Sequence, residues 1–217
     1  MVALLTLDIE TMGLMHQNPL PPMTCVCLYD GTRKYEFPFI CITEAEHNAN
    51  AEALLHLLDT TAHLAGFNAV LFDLPYIGRA LDVPEEHVAA WQAKCIDPYM
   101  GMRSTLHQTC KLQALLDANG LESKTGSGLE AIRLAREGRV RELLDYCMMD
   151  VLLTHELCML PEIRVTQTLG ITLGDDLRWS ACHYERPQAP TLIQALALTH
   201  PLPTVDRLLQ DGFVTLP

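Results

Sequence analysis

Three short stretches gather the residue types that hydrolytic chemistry uses. In Leu7-Asp8-Ile9-Glu10-Thr11, two carboxylates two residues apart close an apolar, β-rich run over residues 2–9. The strand period of two sends both side chains to one face of a sheet. Like charges side by side at the end of a buried strand repel and are poorly hydrated, a cost that a divalent cation would reverse. A strand end that reaches solvent would remove the same cost, so the pair alone leaves both readings open. In Gly66-Phe67-Asn68-Ala69-Val70-Leu71-Phe72-Asp73, an amide and a carboxylate flank a strand-to-helix junction. Asp73 alone would also serve as a first-turn charge favoured by the helix macrodipole. In Tyr146-Cys147-Met148-Met149-Asp150, i, i+4 spacing puts a phenol and a carboxylate on one helix face. Asp150 falls within a strongly apolar helix, where an unpaired carboxylate is costly. It needs a partner, and a metal ion is one.

The elements that must hold these groups can be read from periodicity and turn chemistry. Residues 23–29 and 34–42 form a hairpin around Asp30-Gly31. Thr43-x-x-Glu46 is a capping-box pattern, and Ala51, Leu54, Leu55, Leu58 and Ala62 follow at helical spacing. A short strand over 63–67 and a helix over 72–81 come next, with Pro75 tolerated near the first turn. Residues 95–97 read as a strand edge. Helical patterns cover 106–116, ending at Asn119-Gly120, then 127–137, ending at Gly138, and 140–160, stopped by Pro161. After about residue 164 the character changes. Residues 166–178 alternate like a strand, prolines punctuate 187–203, and 205–209 suits a last short helix. There is no internal repeat.

Composition sets the boundaries. A chain of 217 residues, 49% hydrophobic and 19% charged, suits one compact domain. No apolar run approaches the ~18 residues of a membrane span, so no membrane partner is expected. The first seven residues lack the basic flank of a signal peptide. Cysteines at 25, 27, 41, 95, 110, 147, 158 and 182 show no Cys-x-x-Cys pairing, and Cys182-His183 is adjacent rather than ligand-spaced. Cys25 and Cys27 share a strand face and read as small core hydrophobes. A reducing, cytoplasmic setting follows.

The formal net charge of −12 argues against a protein that wraps DNA through a broad basic face. An enzyme that attacks phosphates through metal ions is itself acidic at its site, so that class survives. Lys124, Arg133, Arg136, Arg139 and Arg141 fall within 18 positions, opposed there by Glu130 and Glu137. They form either a solvated helix face or a local phosphate-steering patch.

Order and context make the three stretches specific. Asp-x-Glu at the end of strand one, Asn-x-x-x-Phe-Asp at a strand-to-helix junction and Tyr-x-x-x-Asp on a late helix resemble the exonuclease motifs of the DEDD superfamily, tyrosine subgroup. That subgroup includes the exonuclease domain of family B DNA polymerases. The segment from Lys124-Thr125-Gly126-Ser127-Gly128-Leu129-Glu130 through Tyr146 to Val151 is also similar to stand-alone RNase H-like exonuclease domains of that subgroup. The resemblance covers roughly residues 2–160. It implies an α/β, RNase H-like mixed central sheet flanked by helices, over 1–164, with a C-terminal extension of unknown role over 165–217. It further implies that Asp8, Glu10, Asp73 and Asp150 hold two Mg²⁺ or Mn²⁺ ions and that Tyr146 orients the attacking water. Thr11 and Asn68 would touch the terminal nucleotide. Met12, with Leu14 and Met15 nearby, serves either as a wedge against the terminal base or as core or loop packing, and Phe72, a substrate-side candidate, reads as packing rather than catalysis. Arg133 and Arg136 are the candidate backbone contacts. The implied activity is a 3′–5′ exonuclease acting on a single-stranded DNA or RNA end, with DNA favoured. The alternative is a catalytically weak nucleic-acid-binding or interaction subunit. The extension would offer a surface for a protein partner or for self-association.

Overall fold

The computed structural model describes residues 4–106, 110–122, 128–160, 163–165 and 177–179. Its centre is a five-stranded sheet in the order β3-β2-β1-β4-β5. Strand β1 (Leu4–Thr11) pairs antiparallel with β2 (Met23–Tyr29), which pairs antiparallel with β3 (Lys34–Pro38). On its other side β1 runs parallel to β4 (His63–Ala65), and β4 runs parallel to β5 (Cys95–Ile96). This mixed sheet flanked by helices is the α/β architecture expected.

Alternation along β1 divides the sheet into two faces. Leu5, Leu7 and Ile9 enter one core with Val26 and Leu28 of β2. That face is covered by α1 (Glu44–Thr60), α2 (Asp73–Ala80) and α3 (Glu85–Ala93), through Leu54, Leu58, Leu74, Tyr76, Ile77 and Trp91. The opposite face meets α6 (Gly128–Arg136) and α7 (Val140–Cys158), with Cys25, Cys27, Leu134, Leu143, Cys147 and Val151 buried between them. Leu4 extends this side to α5 (Leu112–Ala118) through Leu115 and Leu116. With Leu5, Leu7 and Ile9 spent on one core, period two leaves Asp8 and Glu10 on the α7 side.

Several boundaries differ from the sequence expectation. The hairpin strand expected to reach residue 42 ends at Pro38; the Phe39 N–H still donates to the Thr24 carbonyl at 2.9 Å, and Cys41 beyond it stands at φ 56°. Strand β4 stops at Ala65, the expected 106–116 helix is the shorter α5, and α4 (Pro98–Leu106) precedes it where no helix was expected. Helix α3 went unread because Trp91 is its one fully buried side chain, so it carries no periodic apolar stripe. Beyond α7, β6 (Ile163–Val165) pairs antiparallel with β7 (Leu177–Trp179). Most of the expected 166–178 strand, the proline-rich 187–203, the 205–209 helix and Cys182-His183 lie outside the described residues. The expected capping box is present: Thr43 Oγ1 accepts from the Glu46 N–H, and the Glu46 carboxylate accepts from the Thr43 N–H. No described helix is long and apolar enough to cross a membrane.

Candidate metal centre and active site

The carboxyl ends of β1, β4 and β5 open on the same side, where parallel α/β sheets place their ligands. Asp8 and Glu10 lie at the end of β1, and α7 crosses that face. Two contacts fix where α7 rests on the sheet: Thr6 Oγ1 lies 2.8 Å from His155 Nδ1, and the Cys27 thiol donates to the Leu144 carbonyl at 3.6 Å. The Tyr29 ring meets His155 edge-on at 4.9 Å. So held, α7 delivers Asp150, which is buried, to the pair on β1. Carboxylate oxygens of Asp8, Glu10 and Asp150 lie within 4.8 Å of one another. Tyr146 shares the Asp150 face of α7, one turn earlier.

Asp73 arrives by another route. Strand β4 pairs with β1 only as far as Thr6, so the Ile9 N–H extends past the end of that ladder. Asp73 Oδ1 accepts it at 3.1 Å. Burial pushes the Asp73 carboxyl up to about 7, the neighbouring Asp97 charge adds to the shift, and Asp150 adds a smaller push. Three of the four expected carboxylates thus form the tight group, and the fourth stands beside it within reach of Asp150.

The loop that carries Asp73 is held by Asp97, a residue outside the three sequence motifs. Asp97 is buried just after β5. Its carboxylate accepts N–H groups from Asn68 at 2.9 Å, Val70 at 3.0 Å, Tyr99 at 3.0 Å and Met100 at 3.3 Å. One carboxylate therefore caps α4 and clamps the 68–70 turn. Burial pushes Asp97 up to about 6 against these hydrogen bonds. The signal was the dipeptide Asp97-Pro98, an N-cap followed by proline at the first helical position. Asn68 itself adopts φ 65°, a left-handed conformation that asparagine tolerates. Gly66 makes the approach to β1 possible: a Cβ there would sit 2.4 Å from Ala69 Cβ and 3.3 Å from the Leu7 carbonyl oxygen.

The remaining candidates are placed as follows. Thr11 Oγ1 donates to the Gly13 carbonyl at 2.7 Å, and the Met12 N–H donates to Pro22 at 3.0 Å. Both residues sit half-buried at the rim. Their loop is anchored on α2 by the Tyr76 hydroxyl, donating to Pro21 at 2.6 Å, and by Arg79, donating to Met15 at 2.7 Å. Phe72 packs on the core at the start of α2, 5.4 Å from the Tyr76 ring. Lys124 lies outside the described residues, and the arginines of the basic cluster are more balanced than the sequence indicated. Arg133 pairs with Glu130 and Glu137, Arg139 with Glu137 and Glu142, and Arg141 with Asp145 and, across to β3, with Glu36. Residues three and four apart on a helix are neighbours, and that proximity supplies most of these partners. Arg136 is exposed and makes no ion pair among the described residues.

An all-oxygen donor set of three carboxylates fits Mg²⁺ or Mn²⁺, which prefer hard oxygen ligands. A sheet end carrying such a set beneath a crossing helix defines a class of protein. Residues 5–160 match the RNase_H superfamily model, and this chain belongs to that superfamily. Among solved structures it is similar to the family B DNA polymerase from the hyperthermophilic archaeon Pyrobaculum calidifontis. The TM-score is 0.52 and the identity 17%, over 71% of this chain and 24% of the polymerase. The chain therefore spans about a quarter of that protein's length, and the likeness is one of fold. No curated protein sequence matches it.

Proposed function

We propose that this chain is a metal-dependent 3′–5′ exonuclease of the DEDD superfamily, tyrosine subgroup. It hydrolyses single-stranded ends, DNA in preference to RNA, and releases nucleoside monophosphates. The observation that carries this reading is the convergence of Asp8, Glu10 and Asp150 within 4.8 Å at the carboxyl end of β1. Three carboxylates at that separation are strongly disfavoured without a counter-charge.

Asp8, Glu10, Asp73 and Asp150 would hold two divalent ions. When bound, such ions stabilise charge on the attacking and leaving oxygens of an in-line displacement. Tyr146 positions the attacking water through its hydroxyl, since a phenol with an ordinary pKa near 10 is a poor base at neutral pH. Thr11 and Asn68 contact the terminal nucleotide at the rim, Met12 packs against its base, and Phe72 braces the turn. Arg136, exposed and outside the ion pairs of the described residues, is the proposed contact to the phosphate backbone, and the ion-paired Arg133 is a weaker candidate.

The exonuclease unit spans 1–164, and 165–217 forms an extension that meets a protein partner or a second copy. The seven described cysteines are free thiols, which suits a reducing cytoplasm. The test is digestion of end-labelled single-stranded DNA and RNA side by side, in Mg²⁺, Mn²⁺ or EDTA. Stepwise shortening from the 3′ end in either metal, abolished by EDTA, is expected. Binding without shortening in every metal would instead make the chain a nucleic-acid-binding subunit.

A further inference from the structure

Cys25, Cys27 and Cys147 are completely buried, and their three sulfurs lie within 4.8 Å of one another. Strand register explains the placement. Cys25 stands across from Glu10 and Cys27 across from Asp8, so thiols and carboxylates share one face of the sheet. Helix α7 covers both sets, supplying Cys147 to one and Asp150 to the other. The Cys147 thiol lies 3.4 Å from the Asp8 carbonyl oxygen and 3.7 Å from Asp8 Oδ2. An oxygen donor set and a sulfur donor set thus lie side by side, with Asp8 at the seam.

Sulfurs bound to one zinc-class ion at about 2.3 Å are about 4 Å apart, so this trio needs to contract by less than about 1 Å. Three thiolates reject hard ions such as Mg²⁺ and select soft or borderline ones. A fourth ligand completes a tetrahedron, and Asp8, half-buried and already in contact with Cys147, is the oxygen donor in reach.

We infer that Cys25, Cys27 and Cys147 form a second metal site, for a zinc-class cation, with the Asp8 carboxylate as its fourth ligand. Binding releases the thiol protons to solvent, so affinity rises with pH. Occupancy draws Asp8 away from Glu10 and Asp150 and therefore opposes the hard-ion site. That inhibitory consequence rests on the nuclease reading, whereas the binding itself does not.

The experiment uses the full chain, reduced and metal-free, with one equivalent of Zn²⁺ or Cd²⁺. X-ray absorption on the zinc-loaded protein should show about three sulfurs near 2.3 Å and one lighter ligand. The cadmium-loaded protein should show an ultraviolet thiolate-to-metal band. Cys25→Ala with Cys27→Ala should abolish that band, and Cys41→Ala with Cys110→Ala should leave it. A zinc shell of oxygen and nitrogen alone, or a band unchanged in the Cys25/Cys27 variant, overturns the site. The absorption measurement needs no variant, so a misfolded double mutant does not protect the idea. In the nuclease assay with Mn²⁺, one equivalent of Zn²⁺ should inhibit the wild type at least tenfold more than the Cys25/Cys27 variant. Equal inhibition of both overturns the coupling. A protein that binds zinc through sulfur yet never cleaves in Mn²⁺ would refute the nuclease reading and leave the thiolate site standing.

Discussion

Replacing Asp73 by asparagine should stabilise the metal-free protein, and only at high pH. Burial, with help from Asp97 and then Asp150, moves the Asp73 carboxyl from 3.8 to about 7. At ~1.36 kcal/mol per pH unit, that displacement corresponds to a ceiling of about 4 kcal/mol. Below about pH 4 the group is protonated in both the folded and the unfolded chain, and its contribution to stability is fully present. As pH rises towards 7 the unfolded chain gives up its proton while the folded one retains it. The contribution therefore falls away and is gone above the folded value. The asparagine side chain is neutral throughout and keeps an oxygen to accept the Ile9 N–H. Relaxation and water entry around the ionised wild-type carboxylate lower the ceiling, so we expect a net gain of about 1–2 kcal/mol near pH 8. Near pH 4 the two proteins should be about equally stable. For a chain of this length that gain is a rise in Tm of roughly 2–8 °C, readable in paired melts in EDTA at the two pH values. The same substitution should shrink the stabilisation conferred by millimolar Mn²⁺, which depends on affinity for the native state. An Asp73→Asn protein less stable than wild type near pH 8, or a difference identical at both pH values, would refute the electrostatic argument.

Other perturbations have equally definite outcomes. Tyr146→Phe should lower turnover, by less than the ~10²–10⁴-fold that a proton-transferring group supplies, with little change in the Mn²⁺ concentration needed for activity; unchanged turnover would return Tyr146 to a packing role. Asp97→Ala removes the acceptor of four backbone N–H groups and should cost about 2–4 kcal/mol in denaturant titrations, because buried donors are left unsatisfied. In single-strand binding, Arg136→Gln should reduce the slope of log affinity against log salt by roughly 0.7, whereas Arg139→Gln, already ion-paired, should leave it nearly unchanged. Equal effects of the two would show that ion pairing does not decide which arginines meet phosphate.

How far the sequence foretold this arrangement depended on whether the signal was local. The Asp8/Glu10 geometry follows from a period of two on one buried strand, and the Tyr146/Asp150 face from a turn of one helix, so both were legible. Strand β1, the hairpin and the long helices carried strong periodicity and were legible too. Asp97 was not, because its partners at 68, 70, 99 and 100 include a turn 27–29 residues away that only folding brings near. The neutralisation of the arginines was half legible. The local partners sit two to four residues away, but Glu36 is 105 residues from Arg141 and belongs to another element. The thiol trio was hidden for the same reason: Cys25 and Cys27 form a visible pair, and Cys147 joins them only when α7 docks on the sheet. Helices α3 and α4 show the converse. Proline marks the start of each, Pro84 before α3 and Pro98 in α4, Asp97 caps α4, and α3 carries no apolar stripe, so neither shows in the hydrophobic period.

Whether the site carboxylates hold two metal ions is read from the anomalous diffraction of manganese in crystals of the full chain. Two manganese peaks within about 4 Å of each other should appear, bounded by Asp8, Glu10 and Asp150, with Asp73 beside them. Manganese held elsewhere, or no peak against these carboxylates at millimolar Mn²⁺, would contradict the two-ion site.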